Sequence, residues 1–521
     1  MRARIGAVTA SLARRSLAVV LVSLSALCCA AGSHPAQPPR EPGREEWLEL
    51  ETPHFSIYTD LTELPARHMA QSLEDARAAL LAGAWPGAKG PPGRTRIVAF
   101  ARPADFDRLS GVGAQFEGVA FAVPGFERWI AFSPGRDTGV PRVVTHELVH
   151  DLSHWFLPLQ PPWLAEGLAG YLEGARLDYE TRDVTVGEVP TGYVNWLKRS
   201  GTLMSSSRLF AATAQHSDDV RDGVAFYAGS WYLVFYLLQR HGEAFAAFQR
   251  HLLHLVPWRR AWNLAFPELT SEQLDTDMID FAKTGPFTPV VEAFDRPVFE
   301  PEVRRLTPAR AHGIRGLLGT LLYVDAGAEI EAAVKLDPAE PSALTAWFHL
   351  LPETDSRGRR DIARRAVAGH PDSGEAWLLS ARVATEADER RHALERADEL
   401  MPHHPGVAAL LAADELGRGR AARALELVRF AERRSGLSGE VLAVHIRALV
   451  ALGRCADAAQ LVDSSVALLP PTCEDFDAKS ASTVNCIQAV RAAYDPNAGS
   501  CAAATRSAEV TPPENDAASS R

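Results

Sequence analysis

The chain has 521 residues, and its 54 Lys and Arg against 65 Asp and Glu give a net charge of −11. That length accommodates two or three domains with a substantial core, and the acidic balance argues against a general nucleic-acid binder. Hydrophobic residues at 46% and charged residues at 23% are ordinary for a soluble globular protein. The N-terminus reads as an export signal over 1–31. Arg2, Arg4, Arg14 and Arg15 form a basic region. Ser16 to Leu27 is an apolar run of 12 residues, too short for an ordinary membrane span, and Ala30, Ala31 and Gly32 offer a cleavage site. The expected location is therefore periplasmic or extracellular. Cys28 and Cys29 leave a lipoprotein anchor open, although Ser-Ala-Leu-Cys matches a lipidation site poorly; the chain meets a membrane only if it is lipidated there.

Residues 32–45 are Pro-rich and polar, a linker. A compact domain is expected over 46–285. Phe55-Ser-Ile-Tyr alternates as a strand, Leu64 to Leu81 reads as a helix with Pro65 in its first turn, and Arg96 to Ala101 is a strand. Two further strands, Glu117 to Pro124 and Arg128 to Ser133, are joined around Gly125. The last of them feeds Pro141-Arg-Val-Val-Thr-His-Glu-Leu-Val-His150, a helix that carries an H-E-x-x-H motif. On a helix His146 and His150 lie one turn apart on one face, so both can bind one zinc ion, with Glu147 beside them as a general base. Pro158, Pro161 and Pro162 then force a turn, and a second helix from about Pro162 carries Glu166 as the third candidate ligand. Gly167 and Gly170 are expected to let it approach the first helix closely. His154 continues the histidine series, but it lies two turns, ~12 Å, from His146 and is expected to be structural. Glu173 is two turns after Glu166 on the same face and is a candidate partner for His146. Asp151 is a weaker candidate, because its helical phase beside His150 is poor.

Residues 225–256 read as one long helix or a pair, with an aromatic stripe that belongs mostly to the core. Tyr227 is set apart from that stripe as a donor to the oxyanion of a tetrahedral intermediate. A linker is expected over 286–308. From Ala309 the composition turns to Ala, Leu, Arg and Glu with helical periodicity. Pro338, Pro371 and Pro405 fall 33 and 34 residues apart, and Gly436 and Pro470 another 34 apart. This period resembles that of tetratricopeptide repeats, so 309–472 is expected to be an all-α solenoid, folded as a separate array, with a protein or peptide partner on it or a spacer role alone. Residues 473–521 form a Cys-containing tail that is polar and disordered at its end. Beyond the signal, Cys455, Cys473, Cys486 and Cys501 permit two disulfides in three pairings, or a simply buried Cys455.

His-Glu-Leu-Val-His at 146–150 followed by Pro-Pro-Trp-Leu-Ala-Glu-Gly-Leu-Ala-Gly-Tyr-Leu-Glu-Gly at 161–174 resembles the gluzincin branch of zinc peptidases, and most of all the bacterial peptidase-MA-like group. Glu51 to Asp60 resembles the opening strand of that group, and the likeness runs from roughly Trp47 to Val256. It implies an α+β fold, a gluzincin-type metallopeptidase domain followed by the all-α solenoid. It also implies one Zn2+ held by His146, His150 and Glu166, Glu147 as the catalytic base, and a strand at the cleft edge to which a peptide substrate adds. No Gly-x-Met-Glu-Asn motif is present, which weakens an exopeptidase reading. The expected function is an exported zinc peptidase, an endopeptidase, acting on peptide or protein substrates. The alternative is a non-hydrolytic scaffold that keeps the peptidase fold.

Overall fold

The computed structural model describes residues 46–111, 118–121, 128–134, 140–212, 220–285, 287–352, 354–435, 438–466, 468 and 493–494. The signal, Cys28, Cys29, Gly125, Gly436, Pro470, Cys473, Cys486 and Cys501 lie outside these residues.

Alternation of side chains builds the central sheet. Strands β1 (Leu48–Glu51), β2 (Phe55–Thr59), β3 (Thr95–Ala99), β4 (Gly118–Phe121), β5 (Trp129–Phe132) and β9 (Glu302–Arg305) form one six-stranded sheet in the order β4-β5-β3-β2-β1-β9. The pairs β2–β3 and β3–β5 are parallel; β1–β2, β1–β9 and β4–β5 are antiparallel. Successive side chains point to opposite faces, so Ile57, Ile97, Ile130 and Phe132 enter one core while Tyr58, Val98, Trp129 and Ala131 enter another. All four residues of β5 are buried, so both faces of the sheet are covered.

On the first face lie α1 (Glu63–Ala84), α3 (Arg142–Phe156), α4 (Pro162–Leu172) and α7 (Val220–Arg240), all within one apolar cluster. The short α2 (Pro103–Ser110) packs on the other face, where Phe106 and Leu109 join Trp129. Helices α5 (Thr191–Ser200) and α6 (Ser206–Ala211) precede α7; α8 (Gly242–Leu253), α9 (Trp258–Ala265) and α10 (Ser271–Thr284) follow it. The expected long helix is thus a pair, α7 and α8, broken at His241. A small second sheet, β6 (Arg176–Asp178), β7 (Asp183–Val186) and β8 (Val290–Ala293), packs Val184 and Val186 against α1 at Gly83.

Residues 286–308 are not a plain linker. They contribute β8 to the small sheet and β9 to the edge of the large one. Both strands are short and largely exposed, as edge strands commonly are.

Five helix pairs follow among the described residues: α11 (Pro308–Leu321) with α12 (Gly327–Leu336), α13 (Pro341–Leu350) with α14 (Ser356–Gly369), α15 (Gly374–Val383) with α16 (Ala387–Leu400), α17 (Pro405–Gly417) with α18 (Ala421–Ser435), and α19 (Gly439–Ala451) with α20 (Cys455–Val466). Pro338 and Pro371 sit in the turns between one pair and the next, and Pro405 opens α17, so the spacing in the sequence does mark a helical-hairpin repeat. The second helices of the first three pairs end at Asp337, His370 and Met401, each of which leaves the helical region directly before a proline.

The array is not separate. Ile314, Leu317 and Leu318 of α11 share a core with Trp47, Tyr58, Phe100 and Trp129 of the sheet. Charged groups close the same seam: Arg96 Nη1 on β3 lies 2.8 Å from Glu375 Oε1 on α15, and Arg310 Nη1 on α11 lies 3.1 Å from Glu375 Oε2. Farther along, Leu159, just after α3, is buried among residues of the fourth and fifth pairs. Cys455 opens α20 and is disulfide-bonded, with its partner outside the described residues.

Candidate metal centre

Two helices and one proline turn build the centre. Pro141 precedes α3, and the apolar Val144, Leu148, Val149 and Leu152 anchor that helix on the sheet. Leu157 and Pro158 end it. Pro162 stands in the first turn of α4, where its missing N–H costs nothing, and the chain reverses between the two helices. This reversal returns Glu166 to the histidines. His146 Nε2 lies 3.2 Å and His150 Nε2 3.5 Å from Glu166 Oε2. One ligand atom from each of His146, His150 and Glu166 lies within 4.8 Å of the others, the one such cluster among the described residues.

The surroundings fit a divalent cation. His146 is fully enclosed, Glu166 nearly so, and His150 keeps an opening, with 13% of its side chain exposed. His150 Nε2 is buried, and Glu166 Oε2 at 3.5 Å is its polar neighbour. His146 Nδ1 donates to Glu173 Oε2 at 2.9 Å, which turns Nε2 toward Glu166. His146 therefore sits between two carboxylates. Burial alone pushes its imidazole down, but hydrogen bonds to Glu166 and Glu173 outweigh that and hold its pKa well above the ordinary value. Burial raises the Glu166 carboxyl, and the charge of His150 with the bonds from both histidines brings it far below the usual carboxylate range. Such a pocket demands positive charge between its oxygens. Two imidazole nitrogens and one carboxylate oxygen are also the donor set of a zinc site with an open fourth position, so these residues fit that ion.

Glu147 is 1% exposed on α3 beside the cluster. Tyr227 is 2% exposed on α7, in contact with Phe226, and belongs to the same apolar core as α4. It stands one turn before Ser230, the residue of α7 that meets α4 at Gly167.

His154 is not part of the cluster. Its Nε2 donates to the carbonyl of Glu432 on α18 at 3.2 Å, and burial followed by the nearby Arg128 charge brings its pKa down to about 3. Asp151 does not support His146 either. It faces the sheet and the array, accepting from Thr95 Oγ1 at 2.8 Å and Arg434 Nη1 at 3.2 Å, with Arg128 Nε 3.8 Å away. The glycines of α4 have a different neighbour from the expected one. A Cβ on Gly167 would lie 2.5 Å from the Ser230 carbonyl oxygen and 2.4 Å from Val234 Cγ2, and one on Gly170 would lie 3.1 Å from Trp231 Cβ. The close approach is thus between α4 and α7, not between α4 and the histidine helix.

Arg434 and Arg128 escaped the sequence reading. Arg434 lies 283 residues from the aspartate that it meets, and an arginine near a helix end carries no signal of burial.

No family model matches the chain, and no curated protein matches it. It is similar to a solved chain of the APC/C hetero-tetramer Cut9-Hcn1, with 14% sequence identity and a TM-score of 0.24, over 64% of this chain and 60% of that one. A superposition that loose carries no argument about fold or activity.

Proposed function

We propose that the protein is an exported zinc-dependent peptidase of the gluzincin type, an endopeptidase acting on peptide or protein substrates. The observation that carries this reading is the convergence of His146, His150 and Glu166 on one point, with Glu173 behind His146 and Glu147 enclosed beside them. A zinc ion held by those three side chains would polarise a scissile carbonyl and acidify a water. Glu147 projects about 100° around α3 from His146 and acts as the general base without being a ligand. It takes the proton of the attacking water and hands it to the departing amine. Glu173 fixes the tautomer and orientation of His146. Tyr227 is assigned to the developing oxyanion as a hydrogen-bond donor, supported by its place on the face of α7 that packs on α4.

The β4 edge of the large sheet supports a peptide as substrate. Strand β4 ends the sheet order, paired with β5 alone among the described strands. An extended chain can add to such an edge through backbone hydrogen bonds. The bonded Cys455 supports export, because disulfides persist in oxidising compartments. The described residues contain no helix long and apolar enough to cross a membrane. A protein partner on the helical pairs would have to use the faces that the peptidase domain leaves open.

The test is incubation of the zinc-loaded full chain with a diverse peptide library, read by mass spectrometry. Glu147→Gln keeps size and shape but removes the basic oxygen. It is expected to lower cleavage by at least ~100-fold, the usual scale of general-base catalysis, with zinc content and Tm little changed. Cleavage by this variant at the parent rate would refute the assigned base. A parent that loads zinc and cleaves nothing in the library would favour the non-hydrolytic scaffold.

A further inference from the structure

We propose that Arg434, on the second helix of the fourth repeat, is a positioning residue for the metal centre, acting through Asp151 to fix the helix that carries His146, Glu147 and His150. The inference rests on the zinc-site reading above and extends it to a part of the chain that the repeat pattern presents as an appendage.

Three contacts carry it. Arg434 Nη1 donates to Asp151 Oδ1 at 3.2 Å, and Arg434 Nη2 donates to the Arg94 carbonyl at the entrance of β3 at 3.2 Å. Asp151 also accepts from Thr95 Oγ1 on β3 at 2.8 Å. One guanidinium therefore ties the histidine helix and the central sheet to α18. Neither partner is in water: Arg434 is 2% and Asp151 5% exposed. A buried ion pair of this kind holds one geometry, because any movement that separates the charges leaves both without solvent. One turn farther along α3, His154 donates to the Glu432 carbonyl, and the Trp155 ring meets Phe430 edge to face. Glu432 in turn accepts from His445 Nδ1 on α19 at 2.9 Å, and both are buried. The same side of α3 is thus gripped over more than a turn by the fourth repeat, which is itself braced by the fifth.

The position along the helix gives this grip its consequence. Asp151 follows the ligand His150 directly. A slide or rotation of α3 at Asp151 moves both imidazoles relative to Glu166, which stands on a different helix and is held by α7 instead. The spacing between the histidines and the glutamate is therefore set by two separate clamps, α18 on one helix and α7 on the other. Metal sites depend on such outer contacts, whose loss typically lowers affinity by ~10–100-fold.

The experiment measures zinc affinity of the full chain by competition with a fluorescent chelator, together with the visible absorption of the cobalt-loaded protein and Tm. Arg434→Met keeps the aliphatic stem and leaves Asp151 with Thr95 and the more distant Arg128, and the double variant Asp151→Asn with Arg434→Met removes both charges of the pair together, which keeps the test valid where the single variant does not fold. The folded double variant is expected to bind zinc about tenfold more weakly and to shift the cobalt bands. Arg434→Lys, which retains a charge for Asp151, is expected to recover most of that loss. Arg96→Met is the control. It breaks the ion pair with Glu375 on the far face of the sheet and should lower Tm without changing zinc affinity. Parent-like zinc affinity in the folded double variant, or an equal loss in Arg96→Met, overturns the proposal alone. A parent chain that takes up no zinc overturns the zinc-site reading and the proposal with it.

Discussion

Glu166 and His154 compete for one role, third partner to His146 and His150, and their surroundings separate them. Glu166 is drawn to both imidazoles by a proline turn, while His154 spends its Nε2 on the carbonyl of Glu432. A carboxylate ligand cannot be replaced by water without loss of both charge and geometry. Glu166→Ala is therefore expected to weaken zinc binding by more than ~100-fold, beyond the range seen for outer-shell changes, whereas His154→Ala should stay within about threefold. Chelator competition ranks the two, and the opposite order would remove Glu166 from the ligand set. At this scale much of the site was legible in the sequence. His146, Glu147 and His150 follow from one helical turn, and Glu166 and Glu173 from the next helix at a spacing of two turns. The distances do bring Glu173 to His146 Nδ1. Asp151 was harder, since its partners come from Arg434, Thr95 and Arg128, which no local pattern connects to it.

Among the elements, α4 carries the geometry of the candidate centre because α7 holds it beside Glu166. Gly167 lets the backbone of α4 approach α7 at Ser230, and the next residue upstream is the candidate ligand Glu166. A methyl group at Gly167 meets a carbonyl oxygen at 2.5 Å, a backbone atom that cannot step aside as a side chain can. Gly167→Ala is expected to push α4 away from α7, to cost about 1–3 kcal/mol of stability as overpacking typically does, and to loosen zinc binding with it. Urea unfolding and chelator competition on the same preparation check this; a variant as stable and as tight in zinc binding as the parent would contradict it. The existence of both helices could be read from prolines and apolar spacing. Which helix the glycines face could not, because a glycine in a sequence says that something comes close without saying what. Strands β8 and β9 were missed for a related reason. Val290–Ala293 and Glu302–Arg305 are exposed edge strands in a Pro-containing stretch, with no run of buried residues to announce them. Strand β1 was missed too, although it carried a signal, the strict alternation Leu-Glu-Leu-Glu.

For the whole molecule, the repeat pattern told the kind of helices better than their role. A helical-hairpin period is local, so Pro338, Pro371 and Pro405 reveal it. Docking is long-range, and the residues that make it, such as Arg96 with Glu375 and Asp151 with Arg434, are separated by 279 and 283 positions. The array covers one face of the sheet, burying Trp47 and Trp129 with Leu317 and Leu318. Removing it would expose aromatic and aliphatic surface together with the unpaired partners of buried charges. This changes what proteolysis should do. The chain between β8 and β9 is open to a protease, with Val298 99% exposed, so cleavage at 295–301 is expected to be quick. The pieces should nevertheless stay together, because the C-terminal fragment keeps β9 paired with β1 and keeps the whole apolar seam. The nicked protein is expected to elute at the size of the intact chain in gel filtration and to separate into two fragments only in denaturant. Release of a folded helical fragment under native conditions would mean that the seam adds little to stability, and would leave the fourth repeat unable to hold the histidine helix.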